Sequence, residues 1–373
     1  MSFFTEHTRV RWAIPVAAVA VIGGTTFVTS RTANADAGLA PRTAAQLLVD
    51  VQQAQLESLS GTVVQTADLG LPQIPGLGGG AAGSTGADPS LTSIVSGTHT
   101  WRVWFAGPTQ QRLALVGSLG ESDIVRNGSD LWVWSSKDKT AVHHTVPAGT
   151  HAKRAATAPT DLPKTPGDAA QMALDLMGKT TDVSTSGTAV VAGRQAYELV
   201  LKPKEATTRV AQVRIAIDSE KHIPLRVQIY STKIANPAFE VGFSSVDFAA
   251  PDGRQFAFNP PAGTKVTESG ALKGGRQAAA TAAPAARAAL APKVVGSGWS
   301  SVVVAAVPQQ DAQESREQRQ LAGILAAIPK ETGAWGSGRV VDGTLFSAVL
   351  TDDGRVAVGA VAPEQLYAAL TAK

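Results

Sequence analysis

Four consecutive segments between Tyr197 and Phe243 repeat with a period of two, and this constrains the chain more than any other feature. Tyr197, Leu199 and Leu201 share one side of an extended segment. So do Val213, Ile215 and Ile217, then Leu225, Val227 and Ile229, then Phe239, Val241 and Phe243. Between them stand Glu198, Arg214, Asp218, Arg226, Gln228 and Glu240. Successive side chains of a strand point to opposite faces, so this pattern requires an antiparallel sheet with one apolar and one wetted side. A large apolar side chain contributes about 1.5–3 kcal/mol when fully removed from water. The apolar side must therefore be covered.

Strand-like segments also precede this region. Gly61 to Ala67 alternates, and Trp101, Val103 and Phe105 alternate with Thr100, Arg102 and Trp104. Arg112 to Val116, Ile124 to Arg126, Leu131-Trp132-Val133-Trp134 and Ala141 to Thr145 continue a meander. Asn127-Gly128 reads as a two-residue type I′ hairpin turn. The second run comprises 182 to 191, Gln195 to Leu201, Val210 to Ile217, Pro224 to Tyr230 and Phe239 to Phe248. Two amphipathic helices are expected. One covers 43 to 59 with Leu47, Leu48, Val51, Ala54 and Leu59 near one stripe, and the other covers Asp168 to Met177. Two short helices are little cover for about ten strands. The apolar side either bounds a cavity in a curled half-barrel or is closed by a second sheet in an ordinary sandwich.

Other segments mark boundaries. His7, Arg9 and Arg11, an apolar run from Trp12 and Ala33-Asn34-Ala35 match a cleavable export signal over 1–35. The alternative is a membrane anchor over 12–30, and in either case the bulk of the protein is expected outside the cytoplasm. Residues 70–89 form a glycine- and proline-rich insertion, 147–166 a connector and 270–292 an Ala/Pro linker. Residues 293–373 form a small C-terminal module. It is expected to hold a strand at Val302–Val307, a helix at Gln313–Ile328, and a hairpin joining 345–350 to 356–361 across Asp352-Asp353-Gly354.

Composition excludes several kinds of chemistry. The 373 residues include no cysteine, which removes disulfides, thiolate metal sites and a lipidated cysteine anchor. The net charge of +3 comes without a basic stripe interleaved with aromatics, so nucleic acid is not an expected partner. His143 and His144 are adjacent on a strand and point to opposite faces, so they do not form a metal pair, and no metal or cofactor is expected. The two carboxylates of Asp352-Asp353-Gly354 belong to a turn, and no nucleotide or hydrolase motif occurs. The chain is not expected to be an enzyme. Trp101 and Trp104 must lie on opposite faces, so one of them sits near a surface or an edge.

Asn127-Gly128-x-x-Leu131-Trp132-Val133-Trp134, the later strands and the closing Phe256-x-Phe258-x-Pro260-Pro261-x-Gly263 resemble the LolA-like superfamily. That superfamily includes lipoprotein carriers, RseB-type stress sensors and LppX-type lipoproteins. The resemblance covers 43–268 and is nearest to the secreted members of high-GC bacteria. It implies a mainly β, α+β fold: a half-open antiparallel β-barrel closed by helices, followed by the small α/β module. It also implies that the concave face accepts lipid, lipopeptide or lipoprotein acyl chains. Trp132, Trp134 and the four apolar sets would bound that face, and Arg112 stands where the family carries a functional arginine, without the flanking aromatics. Two functions follow from the resemblance. One is an extracytoplasmic carrier or chaperone. The other is an RseB-like regulator that senses an envelope ligand and binds a membrane protein, such as an anti-sigma factor, through 293–373.

Overall fold

The computed structural model describes residues 39–71, 96–117, 120–146, 178–269, 292–306 and 328–372. The export signal or anchor, nearly all of the glycine-rich insertion, the 147–166 connector, the helix at Asp168–Met177, the Ala/Pro linker and the helix at Gln313–Ile328 lie outside the described residues, the last up to Ala327.

The first helix, α1, runs over Ala44–Gln53. Thr43 starts it with a reciprocal cap: its hydroxyl accepts from the Gln46 N–H, and the Gln46 side chain accepts from the Thr43 N–H. The helix is shorter than the expected 43–59. Leu59 belongs instead to β1 (Ser58–Ala67), where it pairs with Phe105 and is buried. Cross-strand pairing outweighs the helical stripe there.

The meander follows as β2 (Gly97–Ala106), β3 (Gln110–Gly117), β4 (Gly120–Asn127), β5 (Asp130–Ser135) and β6 (Thr140–Thr145). The second run is β7 (Thr181–Val191), β8 (Arg194–Pro203), β9 (Val210–Asp218), β10 (Pro224–Ser231) and β11 (Pro237–Asp247), and β12 is Lys265–Ser269. They form one twelve-stranded sheet in the order β12-β6-β5-β4-β3-β2-β1-β11-β10-β9-β8-β7. The two runs are joined through β1, which pairs with β2 on one side and β11 on the other. β7 and β12 are its two edges and do not pair with each other, so the sheet is open rather than closed into a barrel. All pairings are antiparallel except β6–β12, which is parallel and was not anticipated. The β4–β5 turn is displaced by one residue from the expected one. Asn127 pairs with Asp130, which leaves Gly128 and Ser129 in the loop. Gly128 has φ 63° and Ser129 is not in the left-handed region, as a turn with glycine first requires.

The second sheet holds β13 (Lys293–Val295), β14 (Val302–Ala306), β15 (Lys330–Gly333), β16 (Gly336–Asp342), β17 (Ser347–Thr351) and β18 (Arg355–Gly359), in the order β13-β14-β18-β17-β16-β15. Its described pairings are antiparallel. Asp352-Asp353-Gly354 forms the β17–β18 hairpin turn, as expected, with Gly354 at φ 85°. Hydrogen bonds from Lys330 and Ser337 hold the Asp352 carboxyl below the ordinary carboxylate range, and those from Thr351 and Arg355 do the same for Asp353. Helix α2 (Pro363–Thr371) covers one face of this sheet, with Leu366, Ala369 and Leu370 packed on Val302, Val340, Val349 and Ala357.

Candidate functional site

Directly paired residues of neighbouring strands share a face. Tyr197 pairs with Ile217, Leu199 with Ile215 and Leu201 with Val213. Ile215 then pairs with Val227, and Val213 with Ile229. Val227 pairs with Val241, and Ile229 with Phe239. The alternating sets thus merge into one continuous apolar face. Leu225 departs from it. A register shift sets it apart from Val227 and Ile229, and it packs with Val191, Ala196 and Ala216.

The same face continues through β1 into the meander. Phe243 pairs with Val63, Val63 with Trp101, and Trp101 with Leu115. Val103, Leu113, Ile124 and Val133 follow in the next row. Gln65 pairs with both Val241 and His99, so two buried polar residues stand within this apolar field. Sequence alternation missed Gln65 and His99, because neither is apolar. It also left Val63, Trp101, Val103, Leu113 and Leu115 unassigned to the face, because both sides of the meander are apolar.

Trp132 and Trp134 do not belong to this face, contrary to expectation. Trp132 pairs with Val125, Val125 with Arg112, and Arg112 with Trp104, all on the opposite side. Trp134 lies beside Asp123 on that same side. The two indoles pack against Phe258, with ring centroids 5.3 and 6.0 Å apart, and Phe256 is buried in a 3-10 turn, Gly253–Phe256, that lies against β3 and β4. The closing aromatic motif therefore covers the outer side of the meander. Trp101 is buried on the apolar face and Trp104 is half-buried on the outer one, as their adjacency parity required.

Arg112 is likewise on the outer face. Its guanidinium is 2.6 Å from the Asp123 carboxylate, 3.3 Å from that of Glu121, and 5.2 Å from the Trp104 ring centre. Burial, then the neighbouring Glu121, push the Asp123 carboxyl up to about 7 against the pull of Arg112. His143 stacks on Trp132 at 4.3 Å, and its two ring nitrogens meet Glu268 at 2.8 Å and Asp130 at 2.9 Å. Desolvation opposes the imidazolium, yet the two carboxylates outweigh it and raise the His143 pKa above its ordinary value. Glu268 lies on β12, so this ion pair ties the parallel edge strand to β6. Among the described residues no group of acidic or histidine side chains is arranged to hold a metal ion.

The polar side of β8–β11 is less wetted than alternation suggests. Asp218 is fully buried beneath Arg194, and Glu198 is buried among Ser186, Arg214 and Arg226. Burial disfavours the Asp218 carboxylate, but the Arg194 guanidinium and the N–H groups of Lys221 and Glu220 hold its pKa below the ordinary value.

Among the described residues, two bodies cover the apolar face in part. At one end α1 places Leu47 on Tyr197, Leu199 and Ile217, with Leu48 and Val51 beside it. At the other, the four-residue Gly343–Phe346 loop between β16 and β17 brings Leu345 into the cluster of Val63, Trp101, Val213, Val227 and Val241. Phe346 and Trp299 pack at its margin. The loop is held by hydrogen bonds from Thr344 N–H to the Leu69 carbonyl (2.7 Å) and from the Ser231 hydroxyl to the Thr344 carbonyl (2.6 Å). Asp342, at the loop base, pairs with Arg209 at 2.5 Å and Lys233 at 2.8 Å. An apolar side chain such as Leu345 contributes about 1.5–3 kcal/mol by burial. The Asp342 pairs add at most about 1 kcal/mol each, because that carboxylate is nearly half exposed to water. Leu201 and Ile215 touch both clusters and stay half-buried; Ile229, Phe239, Val103 and Leu113, which pack on the Leu345 cluster alone, are half-buried too.

No helix among the described residues is long and apolar enough to cross a membrane. No family model matches the chain, and no curated protein matches it. Comparison with solved structures finds similarity to Pseudomonas aeruginosa MucB in its complex with MucA, at 14% identity over 88% of this chain and 96% of that one, with a TM-score of 0.41. It also finds the Mycobacterium tuberculosis lipoprotein LppX, at 12% identity over 54% and 93% with a TM-score of 0.26. A LolA superfamily protein of Nitrosomonas europaea is similar at 11% identity over 58% and 99%, with a TM-score of 0.22.

Proposed function

We propose that this chain is an extracytoplasmic binding protein for acyl chains of a lipid, lipopeptide or lipoprotein, acting as a carrier or chaperone. The observation that carries this reading is the half-buried part of the apolar face: Leu201 and Ile215 where the α1 and Leu345 clusters meet, and Ile229 and Phe239 beside the Leu345 cluster. Water on such a face is displaced by an acyl chain at a gain of about 0.8 kcal/mol per buried CH2 group. Binding of this kind is passive and needs only a few polar groups to set orientation; Gln65 and His99 are the ones nearest to hand. Trp132, Trp134 and Arg112 are not part of the proposed site, since they face the other way.

The test is native mass spectrometry with lipid extraction on the full chain purified from its own host. Acyl species bound to the wild type and lost in Ile215→Asp are the expected result. A protein free of lipid, which also fails to take up added fatty acid, would remove the carrier reading.

One observation favours the regulatory alternative, in which the second sheet binds a membrane protein such as an anti-sigma factor. Val294 pairs with Val303, and Val303 with Val358, in a row on the side of the sheet away from α2, and all three are exposed. In-cell crosslinking to one single-span membrane protein, abolished by Val303→Asp, is the outcome that this reading expects.

A further inference from the structure

We infer that the Gly343–Phe346 loop is a built-in occupant of the acyl-binding face, displaced when an acyl chain binds, so that ligand occupancy and the seating of the second sheet exclude each other. The inference rests on the acyl-binding reading above and adds its regulation.

The loop is unusual for a hairpin tip, because tips are ordinarily polar and this one presents Leu345 and Phe346 side by side. Leu345 is only 9% exposed, and its neighbours come from the other sheet, among them Val213, Val227 and Val241. The tip is shaped for that seat. A Cβ on Gly343 would lie 2.7 Å from the Phe346 carbonyl oxygen and 2.9 Å from that of Leu69, so the backbone approaches as closely as glycine allows.

The occupied and free parts of the face are contiguous. Leu201 and Ile215 pack against both the α1 cluster and the Leu345 cluster. An acyl chain entering over them and extending along the face runs into the position of Leu345. Besides the backbone and hydroxyl bonds of Thr344, the tip is held at its base by ion pairs that water can replace. Asp342 is 46% exposed at its junction with Arg209 and Lys233, so all three are solvated readily once the tip withdraws. Withdrawal then uncovers both the acyl face and the rim of the second sheet. A site that is competent in only a fraction of molecules binds with its intrinsic Kd divided by that fraction.

The absence of cysteine allows a direct test in the full chain. A Cβ built on Gly70 lies 2.6 Å from the Thr344 hydroxyl oxygen, within reach of a disulfide between G70C and T344C; Gly70 has φ 62°, so the cysteine there is strained, equally in the oxidised and reduced forms. A fluorescent undecanoic acid is titrated into wild type, into G70C/T344C oxidised and then reduced, and into Leu345→Ser/Phe346→Ser. The expected result is that the oxidised lock weakens probe binding about tenfold or more, that reduction restores it, and that the loop variant binds tighter than wild type. Equal affinity in the oxidised and reduced states of the same protein overturns the inference while leaving the acyl-binding reading intact. No binding in any form, the loop variant included, overturns both. The oxidised and reduced comparison keeps the test decisive if the loop variant does not fold.

Discussion

The two halves of the twelve-stranded sheet use their faces differently. In β8–β11 one face is apolar and the other is mostly polar, with Glu198 paired to Arg214 and Arg226, Gln228 donating to Glu240, and a small cluster of Val191, Ala196, Ala216 and Leu225 beside them. In the meander β2–β6 both faces are apolar, with Trp101, Leu113 and Leu115 on one and Trp104, Trp132 and Trp134 on the other. The meander therefore needs an apolar cover on each side, whereas the outer side of β8–β11 is closed largely by its own ion pairs. The second cover is the Gly253–Phe258 segment, which lies on the meander and brings β12 to its edge. Alternation singles out one apolar face only where the opposite face is polar. Where both are greasy, the outer one is equally conspicuous in sequence and serves only as core.

Truncation on both sides of the meander breaks this comparison most strongly. Trp101→Ala on the apolar face and Phe256→Ala on the outer cover are each expected to cost about 3–5 kcal/mol in urea unfolding, because both side chains are almost wholly buried. A negligible cost for Phe256→Ala would mean that the outer face is not a true core. Next in size is Asp218→Asn in the other half. It removes a buried carboxylate from beneath Arg194, for an expected loss of about 1–3 kcal/mol, reduced because Arg194 itself reaches water. The Asp218 pKa is lowered by folding, so its contribution is present above the unfolded value of 3.8 and is lost as pH falls below it. The variant's deficit should therefore shrink in acid.

Asp123 in the meander has the opposite sign. Its folded pKa of about 7 lies above the unfolded 3.8, so the native state binds the extra proton between them and stability falls as pH rises through that interval. Asp123→Asn should flatten this decline in unfolding midpoints recorded from pH 4.5 to 7.5, and an unchanged slope would show that another group is responsible. The smallest effect is at His143. Its raised pKa means that the tie to Glu268 and Asp130 is complete below 6.5 and is lost as pH rises through the folded value. An NMR titration should place that value above 6.5, and His143→Gln should matter less at pH 8.5 than at pH 6. A midpoint at or below 6.5 would contradict the clasp.

The strands of the large sheet and its apolar face from Tyr197 to Phe243 could be read from the chain itself, because period-two alternation is a local property that the backbone enforces whatever packs above it. The start of α1 at Thr43, the β17–β18 turn and the opposed faces of Trp101 and Trp104 follow from equally local rules. Other features depended on long-range pairing and had no local signature. The bulge that removes Leu225 from its set, the one-residue shift of the Gly128 turn and the parallel seating of β12 are decided by which strand lies alongside. The cover of the face is the clearest case. Leu345 is far from Val213 and Val241 in sequence, and alternation puts it in a strand over 345–350, whereas β17 starts only at Ser347 and Leu345 lies in the loop before it. Only the docking of one sheet on the other brought those residues together, because the burial that rewards the contact exists only once both surfaces are formed.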